Sequence, residues 1–85
     1  MARTSNPVAI EFLRTEAQTA HVLANIASRA EDLEKKRRNV DNARKGYDTL
    51  LYFCNQFVLT KNEQDELQTQ ISELRRLLTN LGEKV

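Results

Sequence analysis

Glycine, proline and cysteine are scarce in this chain of 85 residues, which contains two, one and one of them. Collagen-like and low-complexity chains need far more glycine or proline, and an all-β sandwich needs a turn signal every ~8–12 residues. Because Cys54 is the only cysteine, no disulfide can form within the chain. A mostly helical protein remains, and we expect a single helical domain over residues 1–85.

Long hydrophobic segments are also lacking. The longest unbroken apolar run, Leu50–Cys54, has five residues, whereas a membrane-spanning helix needs ~20. No apolar segment typical of a signal peptide follows the N terminus. A lone cysteine is typical of a reducing compartment, so we expect a cytoplasmic protein without a membrane span.

The apolar residues that are present first follow a helical pattern. With Ala9 at heptad position a, nine of the eleven a, d and e positions from Ala9 to Leu33 are apolar, as in a helix that faces a core. Asn6 suits the N-cap of this helix because it accepts backbone hydrogen bonds, and Pro7 suits the first helical position because it has no N–H to satisfy. The pattern predicts a first helix over residues 7–36.

The apolar pattern fails beyond residue 36, and residues 39–42 are rich in asparagine and aspartate, which favour turns. We therefore predict a turn at residues 39–42 and a second helix over residues 42–58. The alternative is one continuous helix over residues 7–58. Acid–base pairs four residues apart would then stabilise its polar middle. These pairs are Glu31/Lys35, Asp32/Lys36, Glu34/Arg38 and Asp41/Lys45.

A third helix is predicted over residues 61–81. Thr60 and Glu63 have the spacing of a capping box, and Gly82 suits the position just after a helix C terminus. Between them, apolar residues recur with the 4-3-4-3 spacing of a coiled-coil seam, which we call the α3 seam and expect to pack against other helices or in an oligomer interface. Its members are Leu67, Ile71, Leu74, Leu78 and Leu81.

Short connections make consecutive helices antiparallel neighbours, so the predicted fold is all-α, a three-helix antiparallel bundle. The alternative is a long helical hairpin of residues 7–58 and 61–81 that is completed by dimerisation. A chain of this size buries a small core, and without a disulfide it must pack densely or associate. We therefore expect a homo-oligomer.

Basic residues concentrate within residues 35–45, where six of them accompany one acid, Asp41. Such a cluster can bind nucleic acid or another anionic surface. The acids that precede four of the bases weaken this signal, and no aromatic residue lies among them to stack on a nucleic-acid base. The candidate polyanion-binding residues are Lys35, Lys36, Arg37, Arg38, Arg44 and Lys45.

Residues suited to catalysis or to cofactor binding are few. A single histidine, His21, and a single cysteine cannot form a structural zinc or di-iron set in one chain. Two distant glycines form no phosphate-binding loop. We therefore predict no catalytic, metal-binding or cofactor-binding residue, and we expect Cys54 to be a core residue.

Apolar helix faces are the strongest signals in the sequence. They predict a non-enzymatic interaction or assembly module that associates with itself or with another, unidentified protein. A binder of nucleic acid or anionic surfaces through residues 35–45 is the first alternative. A remote alternative is a small dimeric helical enzyme that gathers Arg14, Arg29 and Lys36 around a dicarboxylate.

Overall fold

The computed structural model describes residues 7–85 and contains three helices in that range. Helix α1 spans Pro7–Arg29, α2 spans Leu33–Cys54 and α3 spans Lys61–Asn80. All three helices contact one another in an elongated bundle of 53 × 19 × 16 Å. The predicted three-helix bundle is therefore confirmed. Pro7 is the first residue of α1, as predicted, whereas the proposed N-cap Asn6 lies outside the described residues.

The turn between the first two helices lies at residues 30–32, so the turn predicted at residues 39–42 is wrong. The predicted bounds 7–36 and 42–58 are wrong for the same reason, as is the alternative of one helix over residues 7–58. Asp32 is the N-cap of α2, and its side chain accepts a hydrogen bond from the Glu34 backbone N–H at 3.0 Å. The Asn39 side chain instead donates to the Lys35 carbonyl at 2.9 Å within the continuous helix.

The polar middle segment of the sequence contains a buried helix face. Val40, Ala43, Gly46, Tyr47 and Leu50 are all buried along α2. Their phase differs from that of α1 because the chain has already reversed direction. A heptad frame carried over from α1 therefore reads this face as polar, although it packs on the core.

Helices α1 and α2 approach each other through alanine and glycine. A Cβ atom built on Gly46 would lie 2.9 Å from the Ala20 Cβ and 3.7 Å from the Glu16 carbonyl oxygen. Ala20, Ala24 and Ala43 are buried in the same core. Small side chains thus let the two backbones come close.

Helix α3 closes the bundle with larger side chains. Four members of the α3 seam are buried and Leu81 packs half-buried against them, so this seam packs inside the chain. The predicted capping box is present, with the Thr60 N–H donating to Glu63 Oε1 at 2.9 Å and the Glu63 N–H donating to Thr60 Oγ1 at 3.1 Å.

The end of α3 is also as predicted to within one residue. Gly82 has a φ of 94°, which is favourable for glycine and costly for other residues. Its N–H donates to the Thr79 carbonyl at 3.0 Å, and the Glu83 N–H donates to the Leu78 carbonyl at 2.9 Å. These two bonds form a Schellman motif.

Polar contacts fix the relative directions of the helices. Arg14 Nε and Nη2 donate to the two carboxylate oxygens of Glu66 at 2.8 and 3.0 Å, which joins the early parts of α1 and α3. Arg75 Nε donates to the buried Tyr47 hydroxyl at 2.8 Å, which joins the later parts of α2 and α3. Arg44, earlier in α2 than Tyr47, donates to Glu83, which lies later in the chain than Arg75, so α2 runs antiparallel to α3. The short connection at residues 30–32 makes α2 antiparallel to α1 as well.

Truncation of Leu74 should destabilise the bundle strongly. Leu74 is 0% exposed, and Leu74→Ala should cost about 2–5 kcal/mol, the usual range for a buried leucine. Urea denaturation would measure this loss. Leu33 is 80% exposed, so Leu33→Ala is a matched control that should change the free energy of unfolding by about 0.5 kcal/mol or less. A loss below ~1 kcal/mol for Leu74→Ala would contradict the packing of the α3 seam.

Gly46→Ala should destabilise the chain although alanine favours a helix by about 1 kcal/mol. The added methyl group meets the Ala20 Cβ, which cannot move aside by rotation, and such overpacking costs about 1–3 kcal/mol. The double variant Ala20→Gly, Gly46→Ala should be more stable than the sum of its single changes predicts. Additive single changes in thermal or urea melts would contradict a close contact at this position.

Candidate interaction surfaces

The predicted polyanion-binding residues all lie on α2, but they do not share one face. Lys35, Lys36, Arg37 and Arg38 are consecutive residues of a helix, and successive side chains there point about 100° apart. The four bases therefore surround the helix instead of forming a patch. Lys45 is exposed about two turns beyond Arg38.

Arg44 is already engaged within the bundle. Its guanidinium donates to Asp48 at 3.2 Å, to Glu83 at 3.4 Å and to the Lys84 carbonyl at 3.0 Å. The hydrogen bond that Arg44 donates to Asp48, together with the negative charges of Asp48 and Glu83, raises the pKa of Arg44. Arg44 therefore links the segment after α3 to α2. These contacts compete with the binding of an external anion by Arg44.

The predicted acid–base pairs do not neutralise the other bases by direct contact. In the described part of the chain, no ion pair forms within Glu31/Lys35, Asp32/Lys36, Glu34/Arg38 or Asp41/Lys45. Glu31 and Asp32 lie in the turn before α2, where a helical spacing argument does not hold. The bases are therefore solvated individually.

The α3 seam, predicted as a helix-packing or oligomer surface, faces α1 and α2. Leu67, Ile71, Leu74 and Leu78 are 2% exposed or less. A contact between copies would have to use another surface.

A second apolar face, which we call the outer stripe, runs along α1 on the side away from the core. Its residues are spaced 4-3-4-3-4 and carry no charge. The four apolar members are 38–77% exposed, and the two threonines are exposed as well. The outer stripe consists of Val8, Phe12, Thr15, Thr19, Val22 and Ile26.

Aromatic residues extend the outer stripe onto α2. Phe12 meets Phe53 edge-on with ring centroids 5.6 Å apart, and Tyr52 meets Phe53 edge-on at 4.8 Å. Phe57 stacks on Phe53 at 5.5 Å. Tyr52 remains 61% exposed, so the cluster presents apolar surface beside the first turns of α1.

Sequence reasoning missed the outer stripe because it merged two faces of α1 into one. The a, d and e positions combine buried residues such as Leu13 and Ala20 with exposed ones such as Ile26. The sequence did contain a signal for two faces, because two separate sets of residues on α1 each recur with a spacing of three or four. One set is rich in alanine and packs inside the chain, and the other contains valine, threonine, phenylalanine and isoleucine.

The residues considered for catalysis are not brought together. Arg14 and Arg29 lie about 22 Å apart along α1, at ~1.5 Å per residue, and Lys36 lies on α2. Arg14 is held by Glu66 and Glu11, and its hydrogen bonds lower the pKa of Glu66. His21 Nε2 lies 3.3 Å from the Gln70 carbonyl oxygen. Within residues 7–85, no three His, Cys, Asp or Glu side chains are grouped to hold a metal ion.

Comparisons with known proteins identify no relative of this chain. The chain matches no protein-family model, no curated protein and no solved structure. None of the helices in residues 7–85 is both long enough and apolar enough to cross a membrane. The surfaces described above are therefore the basis for a functional hypothesis.

Cys54 is half-buried and packs against the core, and burial raises the pKa of its thiol. The folded protein should therefore react with a thiol reagent more slowly than the unfolded chain at neutral pH, because less thiolate is present. The raised pKa favours the neutral thiol in the folded state. Stability should therefore fall as the pH rises past the ordinary thiol pKa, and Cys54→Ser should remove that fall. Equal labelling rates of folded and unfolded protein would contradict this interpretation.

Proposed function

We propose that this chain is a non-enzymatic helical interaction module that associates, including with itself, through the outer stripe of α1. The observation that carries the proposal is an uncharged face with coiled-coil spacing that the fold leaves in solvent. Such a 3.5-residue period is what a partner helix needs for regular side-chain packing. The lone cysteine is typical of a reducing setting, and we place the module in the cytoplasm.

Burial of this face provides the driving force for association. Complete burial of a valine, isoleucine or phenylalanine side chain contributes about 1.5–3 kcal/mol, and four members of the outer stripe are of these types. They are already partly covered, so each can gain only part of that amount. Two central threonines gain less, and we expect a moderate, reversible association.

The basic residues give weaker support to the alternative of polyanion binding. Lys35, Lys36 and Arg37 point in different directions around α2, and Arg44 is engaged with Asp48 and Glu83. An electrostatic binder gains most from a concentrated basic face. The outer stripe is therefore the better supported surface.

Val22→Glu should weaken self-association by at least about tenfold, which corresponds to ~1.4 kcal/mol. Val22 is 50% exposed in the chain, so the substitution should leave folding intact while it brings a charge into the contact. Gln68→Glu on the exposed side of α3 adds the same charge away from the outer stripe and is the control. Sedimentation equilibrium over a wide range of concentrations would measure both variants.

Two results would oppose the proposal. One is a parent protein that stays monomeric at every concentration. The other is a parent that associates and is weakened equally by Val22→Glu and Gln68→Glu. Circular dichroism would confirm that both variants keep the helical content of the parent.

A further inference from the structure

We infer that the partner of the outer stripe is a second copy of this chain, bound antiparallel about a two-fold axis at the level of residue 17, midway between Val8 and Ile26. This inference rests on the proposed function and specifies its partner and geometry. The candidate contact surface extends about 27 Å from Val8 to Ile26, at ~1.5 Å per residue. Closed two-fold dimers use the same surface on both copies, as one uncharged stripe allows.

The register follows from the spacing of the outer stripe. Phe12, Thr19 and Ile26 take heptad position a, and Val8, Thr15 and Val22 take position d. An antiparallel pair of α1 helices centred at the level of residue 17 places each a residue opposite a d residue of the other copy. Three contacts then repeat on each side of the axis, namely Val8 with Ile26, Phe12 with Val22, and Thr15 with Thr19.

This register matches side chains of similar character. The bulky Phe12 faces the smaller Val22, and two β-branched residues meet at each end. The two threonine hydroxyls meet near the axis, where each can serve as donor and acceptor for the other. No charged residue enters the contact line.

Flanking charges favour the antiparallel over the parallel orientation. Glu11 and Glu16 take positions g and e beside the outer stripe. In a parallel pair, each g residue faces the e residue five positions later in the other copy, so Glu11 would face Glu16 twice. In the antiparallel pair, Glu11 lies opposite Asn25, and only Glu16 meets its own copy near the axis. The antiparallel dimer therefore contains one like-charge contact instead of two.

The rest of the bundle is compatible with this arrangement. Gly46 packs against Ala20 and the Glu16 carbonyl, which places α2 on the Glu16 side of α1. Arg14 binds Glu66, which places α3 on a side remote from the outer stripe. The two-fold axis would then bring both α2 helices to one side and form a four-helix arrangement of α1, α2 and their copies, with α3 on the outside.

Disulfide cross-linking tests the orientation directly in a Cys54→Ser background. Val8→Cys and Ile26→Cys place thiols near opposite ends of the outer stripe, at positions 77% and 39% exposed. In the inferred dimer, each thiol lies close to the other position of the partner and about 27 Å along α1 from its own copy. A mixture of the two variants should therefore form the mixed disulfide under mild oxidation, whereas each variant alone should not.

Every other pattern counts against the inference. Efficient cross-linking of each variant alone would mean a parallel dimer, which overturns the inference and leaves the proposed function intact. Association without any cross-link would place the contact on another surface and overturn both. A Cys54→Ser background that stays monomeric beside an associating parent, as seen by sedimentation, would place the contact at Cys54 and overturn both.

A pair of charge variants provides a test that needs no cysteine. Glu16→Gln removes the single like-charge contact of the antiparallel dimer and should tighten association by about twofold. Glu11→Gln should leave association unchanged in this orientation, because its opposite residue is Asn25. Equal tightening by both variants would support the parallel pair and overturn the inference.

Discussion

The close approach of α1 and α2 at Ala20 and Gly46 is the contact on which the rest of the bundle depends. Gly46 has only a hydrogen where other residues have a side chain, and even so the space between the two helices cannot hold an added methyl group. Because the α1–α2 contact at Gly46 is made by small residues, the larger side chains of Leu13 and Leu50 share one buried core with those of α3. The same arrangement turns the valines, the isoleucine and one phenylalanine of α1 toward solvent, where they form the outer stripe.

Local signals in the sequence predicted α3 almost to the residue. Thr60 and Glu63 form a capping box and Gly82 forms a C-terminal turn by bonds between near neighbours, so no tertiary information was needed. The turn after α1 was misplaced because its signal is weak. Asp32 caps α2 without a glycine or proline nearby. Asn39 is a residue type that favours turns, but it lies inside α2 and its side chain donates a hydrogen bond to the Lys35 carbonyl.

The candidate surfaces were less predictable than the fold. A run of bases looks concentrated in a linear sequence, but a helix distributes consecutive residues around its axis. Arg44 is engaged by a segment some 40 residues away, and no local pattern could indicate that contact. The outer stripe has a readable period, yet whether a stripe on α1 is inner or outer depends on the faces that α2 and α3 cover. That choice is set by tertiary packing.

The three-residue connection between α1 and α2 has a kinetic consequence. These two helices share the most extensive contact in the bundle and are joined by residues 30–32 alone. Contacts between segments that are near in sequence lose little entropy on loop closure, and chains dominated by them fold in microseconds to milliseconds. The helical hairpin of α1 and α2 is therefore suited to form early and to serve as the template on which α3 docks.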